Sequence, residues 1–348
     1  MTTDEMFMNR AIELAKMADS SVFPNPYVGA VIVYGNEIIA EGYHQKYGGP
    51  HAEVLAVNQV QDKSILCKST IYVTLEPCAH HGKTPPCADL LVHHRFKRVV
   101  IGSVDPFALV NGAGISRLKN AGIEVEFGIL KEQCDELNRR FFTFHQKKRP
   151  WVALKWAESR DGFIAPNQQK FGQRFKITGD LAHQMVHLQR SKEHAILIGT
   201  QTALLDNPKL DVRLVSGVSP IRVVIDAELK LPTTLQLFTD GAPTWVLNLH
   251  ENRIAGAVKY IKLDDLNPQT ICDTLSEKQI LSLYVEGGAN TIQRFIDFGF
   301  WDTIYRFVGE SNIGDGVSAP TFEENKNVKL SEHRTFEQDE LIIYKNTF

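Results

Sequence analysis

Residues 77–88 read PCAHHGKTPPCA, directly after the strand-like stretch TIYVTLE (70–76), and residues 51–53 upstream read His-Ala-Glu. Each cysteine follows a proline, Cys78 at the end of a strand and Cys87 at the start of the next helix. With one histidine they make the donor set of a catalytic zinc site, in which three protein ligands leave the fourth position to water. His51, Cys78 and Cys87 supply that set. A helix start favours thiolates, so both sulfurs are expected to be anionic at neutral pH. Glu53 stands two residues from His51 on the first helical turn, where its carboxylate can face the same cavity without binding the metal. Bound zinc lowers the pKa of its water from about 15.7 towards about 7, which leaves Glu53 to carry the protons. A lone His-x-Glu is more often a surface pair. The Pro-Cys after a strand and the second cysteine make a purely structural reading hard to sustain.

Outward from this core, the flanks alternate strand and helix signals. An amphipathic start through Ala11, Ile12, Ala15 and Ala18 leads into VGAVIVY (28–34), a Gly35-Asn36 turn and EIIAEG (37–42), which read as a hairpin. A helix from about His51, the strand at 70–76, a helix from Cys87 to His94, KRVVIGS (97–103), a further helix and IEVEFG (123–128) complete the half. That alternation implies a three-layer α/β sheet. The polar HQKKRP at 145–150 interrupts the pattern and Pro150 discourages a continuing helix, so the domains are expected to span 1–147 and 148–348. The second half restarts with WVALKWA (151–157), a helix-like stretch at 178–193, and strands at 194–199, 221–226, 243–248, 281–288, 302–309 and 341–346. It is again α/β. No fixed-period repeat relates the halves.

A length of 348 residues suits two domains. The share of hydrophobic residues, 43%, is that of a globular protein, and no apolar run approaches the roughly 20 residues of a membrane span, so a soluble chain is expected. The first residues lack the basic and apolar regions of a signal peptide, so a cytoplasmic chain is expected. Five cysteines in a chain of this length read as ligands or plain thiols rather than a disulfide framework, and Cys67, Cys134 and Cys272 read as plain thiols. A formal charge of -3 offers no global basic field for nucleic acid.

The eight residues between Cys78 and Cys87 depart from the Cys-x-x-Cys spacing usual among zinc deaminases, whose non-ligating Glu takes a proton from water and delivers it to the leaving ammonia. With that spacing the chain resembles the bifunctional riboflavin-biosynthesis deaminase-reductases, whose deaminase half shows NPxVG, HAE and PCxHxGxTPPC. Here these are Asn25-Pro26-Tyr27-Val28-Gly29, His51-Ala52-Glu53, and Pro77 to Cys87 with His80, Gly82, Lys83 and Thr84 matching. The resemblance covers both halves. It implies a cytidine-deaminase-like N-terminal domain that hydrolyses the 2-amino group from a phosphoribosyl pyrimidine, with Glu53 catalytic. It also implies Asn25, His44, His80 and Lys83 as substrate contacts, Asn25 because an amide offers both donor and acceptor. One mismatch stands out: DPNPxVxGxG in the family is DPFALVNGAG at 105–114.

For the second half the resemblance implies a dihydrofolate-reductase-like domain that uses NADPH to reduce the ribose to a ribityl chain. Lys155, Ser159, Asp161 and Gly162 match KxxxSxDG, with Arg160 where the family has Leu, and Thr202 to Arg213 matches TVxxDxPxLxxR. On that basis Arg174, Arg190, Leu210, Arg213 and Glu286 are expected at the substrate, and Ala157, Lys176, Thr202, Asp206, Gly288, Ala289 and Asn290 at the cofactor. Glycines at a strand-to-helix turn let backbone amides approach a phosphate. Where the family has a Trp before Ile-Thr, Lys176 stands, with Arg174 nearby in place of a Ser. An indole has thus become a flexible cation. The implied partners are a small-molecule substrate and other copies of the chain, as a dimer or tetramer, with neither nucleic acid nor membrane. Two alternatives stay open: a scaffold-only reductase domain, and a nucleic-acid base deaminase.

Overall fold

In β1 (Gly29–Tyr34) every residue before Tyr34 is buried, the mark of a strand covered on both faces. A computed structural model shows why. It describes residues 1–79, 85–107, 111–167, 171 and 175–347. The chain divides into two compact units, Met1–Lys148 and Arg149–Phe348.

The first unit runs α1 (Thr3–Ala15), β1, β2 (Glu37–Tyr43), α2 (Ala52–Gln59), β3 (Thr70–Leu75), α3 (Cys87–His93), β4 (Arg98–Ser103), α4 (Ala113–Asn120), β5 (Glu124–Phe127), α5 (Lys131–Leu137) and α6 (Arg139–Lys147). The sheet order is β2-β1-β3-β4-β5. β1 is antiparallel to β2 and β3, while β3, β4 and β5 are mutually parallel. One face packs on Ala52, Ala56, Leu91 and Leu118, the other on Phe7, Met8, Ala11, Ile12 and Cys134. These are the three layers expected. Thr2 and Glu5 start α1 with a capping box.

The expected interruption at 145–150 begins late, because α6 continues through His145 to Lys147. Its buried Phe141 and Phe144 hold that turn against the polar composition, and the helix ends at Lys148, whose φ is 57°.

The second unit contains β6 (Trp151–Glu158), β7 (Phe163–Pro166), α7 (Asp180–Arg190), β8 (Ala195–Ile198), α8 (Thr200–Asp206), β9 (Ile221–Ile225), α9 (Gln236–Thr239), β10 (Thr244–Asn248), β11 (Arg253–Ala255) and β12 (Val258–Lys262). It continues with α10 (Pro268–Glu277), β13 (Ser282–Val285), α11 (Ala289–Asp297), β14 (Thr303–Val308), β15 (Gly316–Ser318), β16 (Val328–Phe336) and β17 (Asp339–Asn346). A ten-stranded sheet has the order β11-β12-β10-β9-β8-β13-β6-β14-β17-β16. It is parallel from β12 to β14, with antiparallel strands at both edges. Separate apolar clusters cover its two faces.

Candidate active sites

The central strand β3 ends at Leu75 and hands the chain to Pro77-Cys78, while α2 starts at its N-cap His51 and α3 starts at Cys87. The three converge. His51 Nδ1 lies 3.2 Å from Cys87 Sγ and 3.6 Å from Cys78 Sγ, and the three ligand atoms all fall within 4.8 Å of one another. Tetrahedral zinc with bonds of about 2.05 Å to nitrogen and about 2.3 Å to sulfur places such atoms roughly 3.6 Å apart. The trio fits that ion.

The first backbone N–H of α3, on Cys87, donates to Cys78 Sγ at 3.2 Å. The Cys78 thiol is pushed down to about 4 by the hydrogen bond from Cys87 and by His51, against the opposing effect of burial. Cys87 moves the other way, raised by its bond to Cys78 and by burial. Without a metal ion, Cys87 is therefore the sulfur that keeps its proton. A metal ion has to displace that proton to obtain two thiolates. His51 is raised by its bond to Cys78.

Glu53, on the first turn of α2, is only 3% exposed. Burial raises its proton affinity, and it lies in hydrogen-bonding reach of Cys87. A carboxyl held there can accept a proton and return it. His44 is 2% exposed with both ring nitrogens engaged: Nδ1 lies 3.0 Å from Pro50 O, and Nε2 lies 3.0 Å from Asn25 Nδ2. Because the Pro50 carbonyl can only accept, the proton is on Nδ1 and Nε2 accepts from the Asn25 amide. Thus Asn25 and His44 form one unit, with the His44 ring edge-on to His51 at 5.4 Å. His80 and Lys83 lie outside the described residues.

At the mismatch in residues 105–114, Asp105 accepts from the Phe107 N–H at 2.8 Å, and the Phe107 ring packs on His145 of α6 with centroids 5.0 Å apart. An aromatic contact thus anchors the loop where the family pattern has Asn. Ala108 to Val110 lie outside the described residues. Sequence reasoning passed over Glu76, a buried acid at the end of β3. Its signal was a carboxylate closing an apolar strand directly before Pro-Cys.

In the second unit a cavity of about 620 Å³ opens at the C-terminal ends of β6, β8 and β13. It brings together Ala157, Lys176, Arg190, Thr202, Asp206, Leu210, Arg213, Glu286, Gly288, Ala289 and Asn290. Arg174 lies outside the described residues. Lys155 and His187, not singled out as site residues from sequence, also line the cavity. Arg190 is held by a paired bond to Glu286, Nε to Oε1 at 2.6 Å and Nη2 to Oε2 at 2.8 Å, so it is no free phosphate cation. Arg213 pairs with Asp211 through an exposed bridge. Lys176 Nζ meets Asp180 at 2.6 Å, which ties the cation at the family's Trp position to the first turn of α7.

Gly288, the N-cap of α11, has φ 66° and ψ 132°, backbone that favours glycine, and a Cβ there would lie 3.2 Å from Thr202 Oγ1. A Cβ on Gly287 would collide with Ile198 at 2.6 Å. Both glycines therefore let the start of α11 border the cavity, as a phosphate cradle requires.

Two family models match the chain: the cytidine and deoxycytidylate deaminase zinc-binding region over residues 1–103, and the RibD C-terminal domain over residues 150–342. The chain is 38% identical over 354 residues to the riboflavin biosynthesis protein RibD of Aquifex aeolicus, covering 98% of both chains. It is 40% identical over 329 residues to RibD of Bacillus amyloliquefaciens, covering 91% of this chain and 87% of that one. Among solved structures it is similar to a diaminohydroxyphosphoribosylaminopyrimidine deaminase/5-amino-6-(5-phosphoribosylamino)uracil reductase of Thermotoga maritima, with a TM-score of 0.90, 37% identity and 99% of both chains covered. Acinetobacter baumannii RibD gives a TM-score of 0.90 at 35% identity, again over 99% of both chains.

Proposed function

The chain belongs to the RibD family, the bifunctional deaminase-reductases of riboflavin biosynthesis, and from that premise we propose which of its residues carry each step. The first step is hydrolytic loss of the 2-amino group from the diaminopyrimidinone ribosylamine 5'-phosphate. The second is NADPH-dependent reduction of the ribosyl group to ribityl. The observation that carries this reading is the convergence of His51, Cys78 and Cys87 beside a buried Glu53.

Zinc held by this trio supplies a water-derived nucleophile near neutral pH. Glu53 takes the proton of the attacking water and gives it to the nitrogen that leaves as ammonia, so the C–N bond breaks without an anionic amide. Asn25, its amide oriented by His44, faces the pyrimidine. With one Nδ2 hydrogen engaged by His44, the amide keeps its carbonyl and its second N–H for the base. Chelation of the metal is expected to abolish ammonia release while leaving NADPH oxidation with the deaminated intermediate unchanged, and added zinc should restore the first activity. Loss of both activities together would reject the assignment of the ion to the first unit alone.

In the second unit NADPH supplies hydride. The backbone at Gly288, Ala289 and Asn290 receives a cofactor phosphate, Thr202 and Asp206 border the cofactor, and Arg213 with Leu210 borders the substrate. Saturable NADPH binding by calorimetry tests this, and no binding would leave the domain a scaffold. Gly288→Ala puts a methyl group on a positive-φ backbone, a strain of order 1–3 kcal/mol. It should weaken NADPH on the order of tenfold and leave deamination untouched. An unchanged dissociation constant would move the cradle elsewhere.

A further inference from the structure

The strand end that delivers Cys78 also delivers an acid with no part in the chemistry just described. Glu76 is buried, and its carboxylate accepts four backbone N–H groups from one segment: Asp105 at 3.2 Å and Gly112 at 2.9 Å on Oε2, Gly114 at 2.9 Å and Ile115 at 3.2 Å on Oε1. Its own N–H donates to Ser103 O at 2.9 Å, carrying the pairing of β3 with β4 one residue past Leu75.

The first N–H groups of a helix need acceptors, and a side chain at the N-cap normally provides one. The N-cap of α4 is Gly112, at φ 87°, with no side-chain cap. Glu76 stands in for it from the end of the adjacent strand β3, and its negative charge lies at the end of the helix that favours one. The next residue docks as well. A Cβ on Gly114 would lie 2.1 Å from Pro77 O, so the turn leading to Cys78 rests where only glycine leaves room. Both residues preceding the thiolate are therefore seated on the first turn of α4.

We infer that Glu76 is a positioning residue for the metal centre, fixing Cys78 by anchoring the Glu76-Pro77-Cys78 turn to α4. The inference rests on the zinc reading of the His51, Cys78 and Cys87 trio. Groups that orient metal ligands from behind typically matter 10–100-fold in metal affinity. The link from α3 to α4, Arg117 with Asp89 at 2.7 Å, is half-exposed at both partners and should matter little.

Zinc transfer to a chromophoric chelator, with the visible spectrum of the cobalt-substituted protein, tests this. Glu76→Gln sets an NH2 against two backbone donors. It should release zinc 10–100-fold faster than the parent and alter the cobalt–thiolate bands, whereas Arg117→Ala should release zinc within about twofold of it. Should Glu76→Gln fail to fold, Gly114→Ala displaces the Pro77 carbonyl with the carboxylate in place, and the same two changes are expected. A folded variant that melts earlier but keeps the parent's release rate and cobalt spectrum makes Glu76 only a helix cap, and overturns the inference. A parent that binds neither metal overturns the zinc reading itself, and the inference with it.

Discussion

Glu53→Gln should keep its zinc and lose deamination by a factor of about 10²–10⁴, the range that a positioned proton carrier contributes. The substitution preserves shape at a position that is 3% exposed, and it leaves His51, Cys78 and Cys87 as they are. What it removes is a group that can bind and release a proton. Burial raises the proton affinity of Glu53, so it takes the proton of the water more readily than a carboxylate at its ordinary value and then holds it as the acid for the leaving nitrogen. An amide does neither. Metal analysis should therefore find the parent's zinc content, while assays of ammonia release find the large loss. Reduction of the deaminated intermediate should be unaffected, because the residues assigned to it belong to the second unit. Deamination within about twofold of the parent would remove Glu53 from the chemistry.

The ligand trio was legible because proline, strand end and helix start constrain where Cys78 and Cys87 can go, and donor chemistry admits few other roles. The strands of the parallel sheets were legible too, as apolar runs such as HAILIG and IRVVID. Strands β11, β12 and β16, at or next to the edges of the ten-stranded sheet, were not. β16 exposes Lys329, Leu330, Ser331, His333, Arg334 and Thr335, and β12 alternates lysines with apolar residues, so neither shows the apolar run of a strand covered on both faces. α5 and α6 were missed because their charged faces dominate the local composition, although Cys134, Phe141 and Phe144 are buried.

Within the sites, the residue types were readable and their pairings were not. Arg190 and Glu286 each read as a residue at the substrate, but Glu286 lies 96 positions from Arg190 along the chain and the bridge between them exists only once the fold brings α7 to the end of β13. In the same way, no local pattern reveals that the N–H groups of α4 meet a carboxylate from β3.

That long-range pair carries the second large expected effect. Arg190 and Glu286 are 8% and 7% exposed at their side chains, so neither charge is well solvated. Burial alone would raise the Glu286 carboxyl, yet the charge and hydrogen bonds of Arg190, with Lys155 nearby, bring it down to about 2. Arg190→Met would leave a buried carboxylate without its partner, which costs about 3–5 kcal/mol. For a unit of this size that is roughly 10 °C in melting temperature. Adding Glu286→Gln to Arg190→Met removes the stranded charge and should recover much of the loss, since replacing a buried ion pair by neutral groups is often close to neutral. The pH dependence separates the variants further. A carboxyl depressed in the folded state contributes stability that is complete above its unfolded value, near 4.5, and is lost as pH falls through the folded value near 2. At about 1.4 kcal/mol per pH unit the parent should lose roughly 3 kcal/mol from Glu286 across that window, and the double variant none of it. In the single variant, acid protonates the stranded carboxylate, so its deficit against the parent should shrink as pH falls. A single variant that melts within about 2 °C of the parent at neutral pH would show that water reaches the pair, and the buried-bridge account of the cavity wall would fail.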